Sequence, residues 1–280
     1  MLICLNDLFA CSGLTQTRKL LTNFSKNSFY LLPEPLRLGE FLMNYCTLIK
    51  NIISTESKSI NQLFNQKGQI YTFLNPVSYL TALDNKILFE QFDGIFADGS
   101  ILVAAIKVLY GKTVTRRSFD MTSLAPELLK YAEDNKKTIY IVASKQEQVE
   151  KAISIFKERY PYLQFSGYRN GYFSSEDEMD TEAAYITEIN PDFLIVGMGV
   201  LMQEKFLLKV KSKGFQGIGF TCGGFIHQTS KNEIEYYPAW ADKLNLRFIY
   251  RMYKEKHTRK RYLQAAFLFP IRFFFERVIG

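Results

Sequence analysis

Histidine, cysteine and tryptophan are scarce in this chain, with two, four and one among 280 residues. Cys4, Cys11, Cys46 and Cys222 form no C-x-x-C pair, so neither a zinc cluster nor a disulfide framework can be built from them, and a reducing compartment suits the chain. His227 and His257 lack partners at ligand spacing, which disfavours a metal centre; His227 is expected to hydrogen-bond in a crevice or the core. No Asp-x-Asp ends an apolar run, and the acidic cluster Glu176 to Asp180 reads as a solvated helix start ahead of a magnesium site. Long apolar runs are missing too. Ala265 to Ile271 is interrupted by Pro270 and ended by Arg272, short of the ~18 to 20 residues that cross a bilayer. The start, Met-Leu-Ile-Cys-Leu-Asn-Asp, has no basic region or small-residue cleavage site, so no signal peptide is expected.

What is abundant is aromatic and basic. Phe and Tyr number 24 and 17, and the formal charge is +7. From Arg247 to Gly280 there are nine Lys or Arg against two acids, so that segment carries all of the excess and the rest is neutral overall. The same segment holds Phe267, Phe269 and Phe273 to Phe275. A basic aromatic segment of this kind attracts the phosphates of a nucleotide, a nucleic acid or an anionic bilayer.

Residues 1–67 read as an N-terminal helical or irregular appendage, with a break at Pro33 and Pro35 and an apolar helical stretch near Phe41 to Ile53. Over residues 68–246 short β-rich runs alternate with helical segments, the pattern of a βαβ chain with a parallel sheet. The strands are predicted at Gln69 to Leu74, Gly94 to Ala97, Thr138 to Ala143, Leu163 to Tyr168, Phe193 to Val196 and Gly217 to Thr221. Ser144 is expected to cap a helix stopped by Pro161, and Ser174 and Ser175 to cap one ending at Asn190-Pro191. Ligands in such sheets sit beyond the carboxyl ends of the strands, so the residues there are the ones to weigh.

Asp98 ends a strand ahead of the apolar helix Ile101 to Leu109 and is either a general base or an N-cap. Thr72 and Asn75 follow the same strand-to-helix logic and could position a sugar or phosphate, though Asn75 by itself fits a cap better. Arg116 and Arg117 beside Asp120 match oxyanion or polyol recognition, or a surface ion pair. Gly197-Met198-Gly199 lacks the third glycine of a dinucleotide loop, with Gln203, Glu204 and Lys205 in that space. Gly223 and Gly224 let backbone approach a ligand, or make a tight turn.

Taken in order, these segments resemble the WecG/TagA/CpsF family of bacterial glycosyltransferases, glycosyltransferase family 26. The likeness runs from about Gly68 to about Tyr262. Its pieces are Thr72 to Pro76, Ala97-Asp98-Gly99, Arg117 to Asp120, Arg169-Asn170-Gly171-Tyr172-Phe173, Pro191-Asp192 and Gly197-Met198-Gly199. They continue with Gln203-Glu204-Lys205, Gly223-Gly224-Phe225, Pro238-Ala239-Trp240 and Leu246 to Arg251.

The resemblance implies an α/β, Rossmann-like, mostly parallel sheet flanked by helices, with residues 247–280 as a basic aromatic appendage that docks on a membrane. It implies an inverting, metal-independent enzyme without cofactor. The reaction would move a sugar from a nucleotide diphosphate donor, such as UDP-N-acetylmannosamine or a related hexose or uronic acid, to a polyprenyl-diphosphate-linked acceptor. That would serve cell-surface polysaccharide synthesis on the cytoplasmic membrane face. Asp98 falls at the family's proposed base and Thr72 at a nearby polar position. Arg251 and Arg261 fall at diphosphate-binding arginines. Asn75, Gly99, Arg117, Asp120 and His227 are expected to bind substrate, as are Gln203, Glu204, Lys205, Gly223 and Gly224.

Three departures stand out. His227 occupies the place of the family's usual Asp, Thr258 replaces an arginine with Arg259 beside it as substitute, and the usual Glu-Pro reads Glu255-Lys256. The rival readings are a nucleotide-sugar-binding regulatory module without turnover, a nicotinamide-dependent oxidoreductase and a nucleic-acid binder; the apolar clusters favour lipid over nucleic acid. An exposed apolar tail also offers a surface that a homo-oligomer would cover. Deleting residues 247–280 is expected to leave a more soluble, inactive protein.

Overall fold

A computed structural model describes residues 47–231 and 247–279. The Pro33 and Pro35 break, Pro238-Ala239-Trp240 and Leu246 lie outside the described residues, as does the first part of the stretch near Phe41 to Ile53.

Six strands form one sheet, all neighbours parallel. They are β1 (Ile70–Leu74), β2 (Gly94–Ala97), β3 (Thr138–Ala143), β4 (Gln164–Arg169), β5 (Phe193–Gly197) and β6 (Ile218–Thr221), in the spatial order β2-β1-β6-β5-β3-β4. Each predicted strand is found within a residue or so of its expected bounds. The reason is chemical: β2, β5 and β6 are buried along their whole length, and a strand covered on both faces reads as an unbroken apolar run. The edge strand β4 instead alternates exposed and half-buried residues.

Helices cover both faces. One face carries α1 (Thr47–Glu56), α3 (Pro76–Asp84), α5 (Ser100–Tyr110), α8 (Glu176–Ile189), α9 (Met202–Ser212) and α12 (Arg259–Ile279). The other carries α2 (Ile60–Asn65), α6 (Leu124–Asp134), α7 (Gln146–Arg159) and α10 (Phe225–Ser230). Between them in sequence fall the single-turn α4 (Lys86–Phe89) and α11 (Arg247–Lys254), the latter joined to α12 by a 3-10 turn at Lys256–Thr258. The neighbouring strands β1 and β6 send their following helices, α3 and α10, to opposite faces. That divergence opens a crevice at their carboxyl ends, the usual place for a ligand in such a sheet.

Two segments are packed more deeply than their sequence suggests. Leu48, Ile49 and Ile52 of α1 are buried in the same core as β1. Phe269 and Phe273 of α12 enter that core as well, Phe273 lying 5.2 Å from the Tyr79 ring and 5.6 Å from that of Tyr110. Arg272 clasps Asp84 at 2.6 Å, Lys86 pairs with Glu276, and Arg277 donates to the Leu109 carbonyl at 3.2 Å. Residues 259–279 are therefore bolted onto α3 and α5, and deleting 247–280 would open the core instead of merely improving solubility.

Caps differ in one place. Ser175 caps α8, its hydroxyl accepting from the Glu178 amide at 3.1 Å, whereas α7 is capped at Lys145 and Ser144 sits in the left-handed region at φ 51°. The acidic start of α8 is neutralised by protein cations. Lys209 meets Glu176 and Asp180, and Arg169 binds Glu178, whose carboxyl is held down to about 2 by hydrogen bonds from Ser174 and then from Arg169.

Candidate active site

A cleft of about 1260 Å³ lies over the carboxyl ends of the strands and is closed on one side by α11 and α12. Its floor is made where sequence and backbone coincide. The Asp98 amide donates to the Leu74 carbonyl at 2.8 Å, carrying the β1–β2 pairing one residue past the strand and delivering the carboxylate to the cleft. Gly99, not Asp98, is the N-cap of α5, with φ +105° that a side chain would resist.

Across the cleft stands Arg251. Its Nη2 lies 3.0 Å from where a Cβ on Gly224 would be, so a side chain there would push the guanidinium back by a few tenths of an ångström. Its Nε donates to Glu255 Oε2 at 3.3 Å, and it hydrogen-bonds the phenol of Tyr262. Burial raises the Tyr262 hydroxyl, Arg251 opposes this, and the nearby Asp98 charge raises it further. Asp98, Tyr262 and Arg251 therefore form one electrostatic group, assembled from β2 and the two C-terminal helices. Arg261 also lines the cleft.

Beneath the floor runs a buried polar hub. Glu204, 1% exposed, accepts from the Thr72 hydroxyl at 3.0 Å and Gln203 Nε2 at 2.8 Å through Oε1, and from the Leu201 amide at 2.7 Å through Oε2. Thr72 also shares a 2.9 Å hydrogen bond with Thr221. Gln203 in turn accepts the Gly223 amide at 3.1 Å. Burial pushes the Glu204 carboxyl above its usual range, with the bonds from Gln203 and Thr72 pulling it back. One carboxylate so ties β1, the Leu201 turn at φ 74° and the Gly223 loop together.

The sequence-predicted residues separate cleanly by position. Asp98, Gly99, Gln203, Gly223, Gly224, His227, Arg251 and Arg261 line the cleft. Asn75 lines it while capping α3, its Oδ1 accepting from Val77 and Ser78 at 3.0 and 3.1 Å. Asp120 lines it too, with its oxygens bound by Ser118 and by both the amide and hydroxyl of Thr122. Thr72 and Glu204 are buried below. Lys205 is exposed outside the cleft, and Arg259 is spent on the Met252 carbonyl at 2.8 Å.

Of the paired arginines, Arg116 reaches the cleft. Arg117 lies 5.8 Å over the Phe96 ring, with a buried Nη1 that finds no hydrogen-bond partner among the described residues. Tyr262, Tyr172, Ser144 and Gln148 are cleft residues that sequence reading missed. Only for Tyr172, inside the Arg169 to Phe173 segment, did the sequence carry a signal. Cys222 also borders the cleft, but it is buried and its thiol is pushed up to about 12 by that burial, which removes it as a nucleophile. Among the described residues no three His, Cys, Asp or Glu side chains converge as metal ligands.

The model of the glycosyl transferase WecG/TagA/CpsF family matches residues 50–280. The chain is 33% identical over 235 residues to UDP-Gal:alpha-D-GlcNAc-diphosphoundecaprenol beta-1,4-galactosyltransferase of Shigella boydii, a match spanning 83% of this chain and 97% of that protein. It is 26% identical over 200 residues to N-acetylglucosaminyldiphosphoundecaprenol N-acetyl-beta-D-mannosaminyltransferase of Bacillus subtilis strain 168, spanning 70% and 75%. The enzyme of the same name from Staphylococcus aureus strain NCTC 8325 is 29% identical over 210 residues, spanning 73% and 79%. A cleft with a strand-end carboxylate facing arginines, on a chain matched over this length, leads to one conclusion: the protein belongs to the WecG/TagA/CpsF family and is a glycosyltransferase.

Proposed function

We propose that this enzyme transfers a hexose from a UDP-sugar to the sugar of a polyprenyl-diphosphate-linked acceptor, with inversion and without a metal, in building a cell-surface polysaccharide. The observation that carries this reading is the Asp98, Tyr262 and Arg251 group in the cleft. Asp98 takes the proton from the acceptor hydroxyl as that oxygen bonds to the anomeric carbon. The bond from that carbon to the β-phosphate oxygen breaks, and UDP departs with the electron pair. Arg251 and the Gly223 loop offset the charge gathered on the leaving diphosphate. Two of the relatives support the choice of sugar, one naming UDP-Gal as donor and one transferring N-acetylmannosamine, so these two are the first donors to test.

The acceptor is lipid-linked, and α12 supports reversible attachment to the inner face of the cell membrane. Phe267, Ile271, Phe274 and Val278 form one exposed helical stripe, opposite the buried Ala265, Phe269 and Phe273. Lys260 and Arg261 flank its start. Among the described residues no helix is long and apolar enough to cross a membrane.

The test is transfer from labelled UDP-galactose and UDP-N-acetylmannosamine to GlcNAc-diphosphoundecaprenol, comparing Asp98→Asn with wild type. Loss of general-base assistance lowers turnover by ~10²- to 10⁴-fold while donor affinity stays near wild type. Turnover within a few-fold of wild type would remove Asp98 from the role.

A further inference from the structure

The two halves of the cleft differ in chemistry. On the side of the sheet that carries α7 and α10, the lining includes Arg116, Asp120, Ser144, Gln148, His227 and Gln228. On the side of α5, α8, α9 and α12 it includes Ile101, Met179, Val200, Met202, Ala266 and Pro270. The acid at the rim of this second half, Glu176, is held by Lys209 at 3.0 Å. Asp98, Arg251 and Tyr262 stand where the halves meet.

Along α12 the cleft-lining positions Tyr262, Leu263, Ala266, Phe269 and Pro270 recur at helical spacing, so a single stripe leads away from the arginines. At 1.5 Å per residue it extends about 12 Å. Past it the exposed stripe of Phe267, Ile271 and Phe274 takes over. Arg261 at the head and hydrocarbon beyond match one kind of molecule, a diphosphate ester of a long isoprenoid.

We propose that this apolar half is a binding trough for the first isoprene units of the acceptor, so that the enzyme holds the lipid next to its diphosphate and does not leave it wholly in the bilayer. The inference rests on the proposed function for its choice of acceptor, but it can be tested without turnover. Burying each of the first isoprene units strengthens binding by about tenfold or more, and units past the end of the trough add little.

Equilibrium dialysis of the full chain with radiolabelled dimethylallyl, geranyl and geranylgeranyl diphosphate, without vesicles or detergent, reads this directly. The expected result is an affinity that climbs from one isoprene to two and then flattens. Ala266→Trp, at an exposed position lining the cleft, removes the climb, and Met202→Trp, an exposed lining position on α9, does so should the first variant fold poorly. Replacing Phe267, Phe274 and Phe275 by Ser, exposed on α12 outside the cleft, leaves it intact. Affinity independent of chain length overturns the inference, as does a climb lost in the outer-stripe variant but kept in the Trp variants. Should UDP-sugars yield no transfer while a Trp-sensitive climb persists, the proposed function falls and the trough stands.

Discussion

Glu204→Gln tests whether the buried hub holds the active-site floor. The carboxylate accepts three hydrogen bonds, two at Oε1 and one at Oε2. A carboxamide of the same shape keeps one acceptor oxygen. If that oxygen serves Thr72 and Gln203, the new NH2 faces the Leu201 amide, donor against donor, at a site 1% exposed where water cannot substitute. An orphaned buried donor costs about 1–3 kcal/mol. Relief of the carboxylate's own burial offsets part of this, leaving a net loss of about 1–2 kcal/mol, or roughly 2–8 °C in Tm for a domain of this size. Glu204→Leu is harsher. Thr72 retains Thr221, but Gln203 and Leu201 both lose their acceptor, for about 3–5 kcal/mol.

Differential scanning calorimetry of the three proteins at pH 7 gives the comparison, and donor KM in the transfer assay gives the second readout. Because Gln203 holds the Gly223 amide, donor KM should rise severalfold in Glu204→Leu, where Gln203 loses its acceptor, with a smaller change in kcat. The pH dependence has a definite sign. Burial raises the Glu204 carboxyl above its ordinary 4.5, so the folded state binds that proton more tightly than the unfolded state does. Wild type should therefore lose stability relative to Glu204→Gln as pH climbs from 4.5, and the difference should level off above the raised value. Equal melting of all three proteins, or a leucine variant no worse than the glutamine one, would refute the reasoning.

Three further outcomes follow from the packing around the cleft. Phe273→Ala should cost about 3–5 kcal/mol in urea unfolding, because the ring is buried against Tyr79, Tyr110 and Phe269; a loss below about 1 kcal/mol would mean that α12 is only loosely attached. Changing Phe267, Phe274 and Phe275 to Ser should weaken sedimentation with anionic vesicles by about tenfold and leave Tm in place, whereas unchanged partition would show that this stripe does not meet lipid. Arg251→Ala should raise donor KM about tenfold or more through loss of a charged hydrogen-bond donor, and an unaltered KM would take Arg251 off the diphosphate.

The strands were readable because burial on both faces writes itself as an uninterrupted apolar run, as in Phe193 to Val196. Asp98 was readable as a strand-end acid, and the structure separates it from the capping role by giving that to Gly99. What stayed hidden was long-range. Thr72 and Glu204 are 132 residues apart, and nothing local marks either as buried, so both read as substrate contacts. Tyr262 reaches the cleft only because the chain turns at Lys256–Thr258, which breaks the helical register that would relate it to Arg251. The aromatic residues of α12 were read as one lipid-facing set, because an apolar side chain bound for a protein core and one bound for a surface are the same in sequence. Only packing divides Phe269 and Phe273 from Phe267 and Phe274.

That division sets two unlike constraints on a single stretch of chain. Polar residues can drift into the outward positions of α12, such as Phe267, Ile271 and Phe274, without harm to folding, and into the inward ones, Ala265, Phe269 and Phe273, only at the expense of the core. The enzyme is thus unable to shed its greasy flank by truncation: any route to a freely diffusing form has to proceed by repainting one side of the helix while the inner side stays as it is.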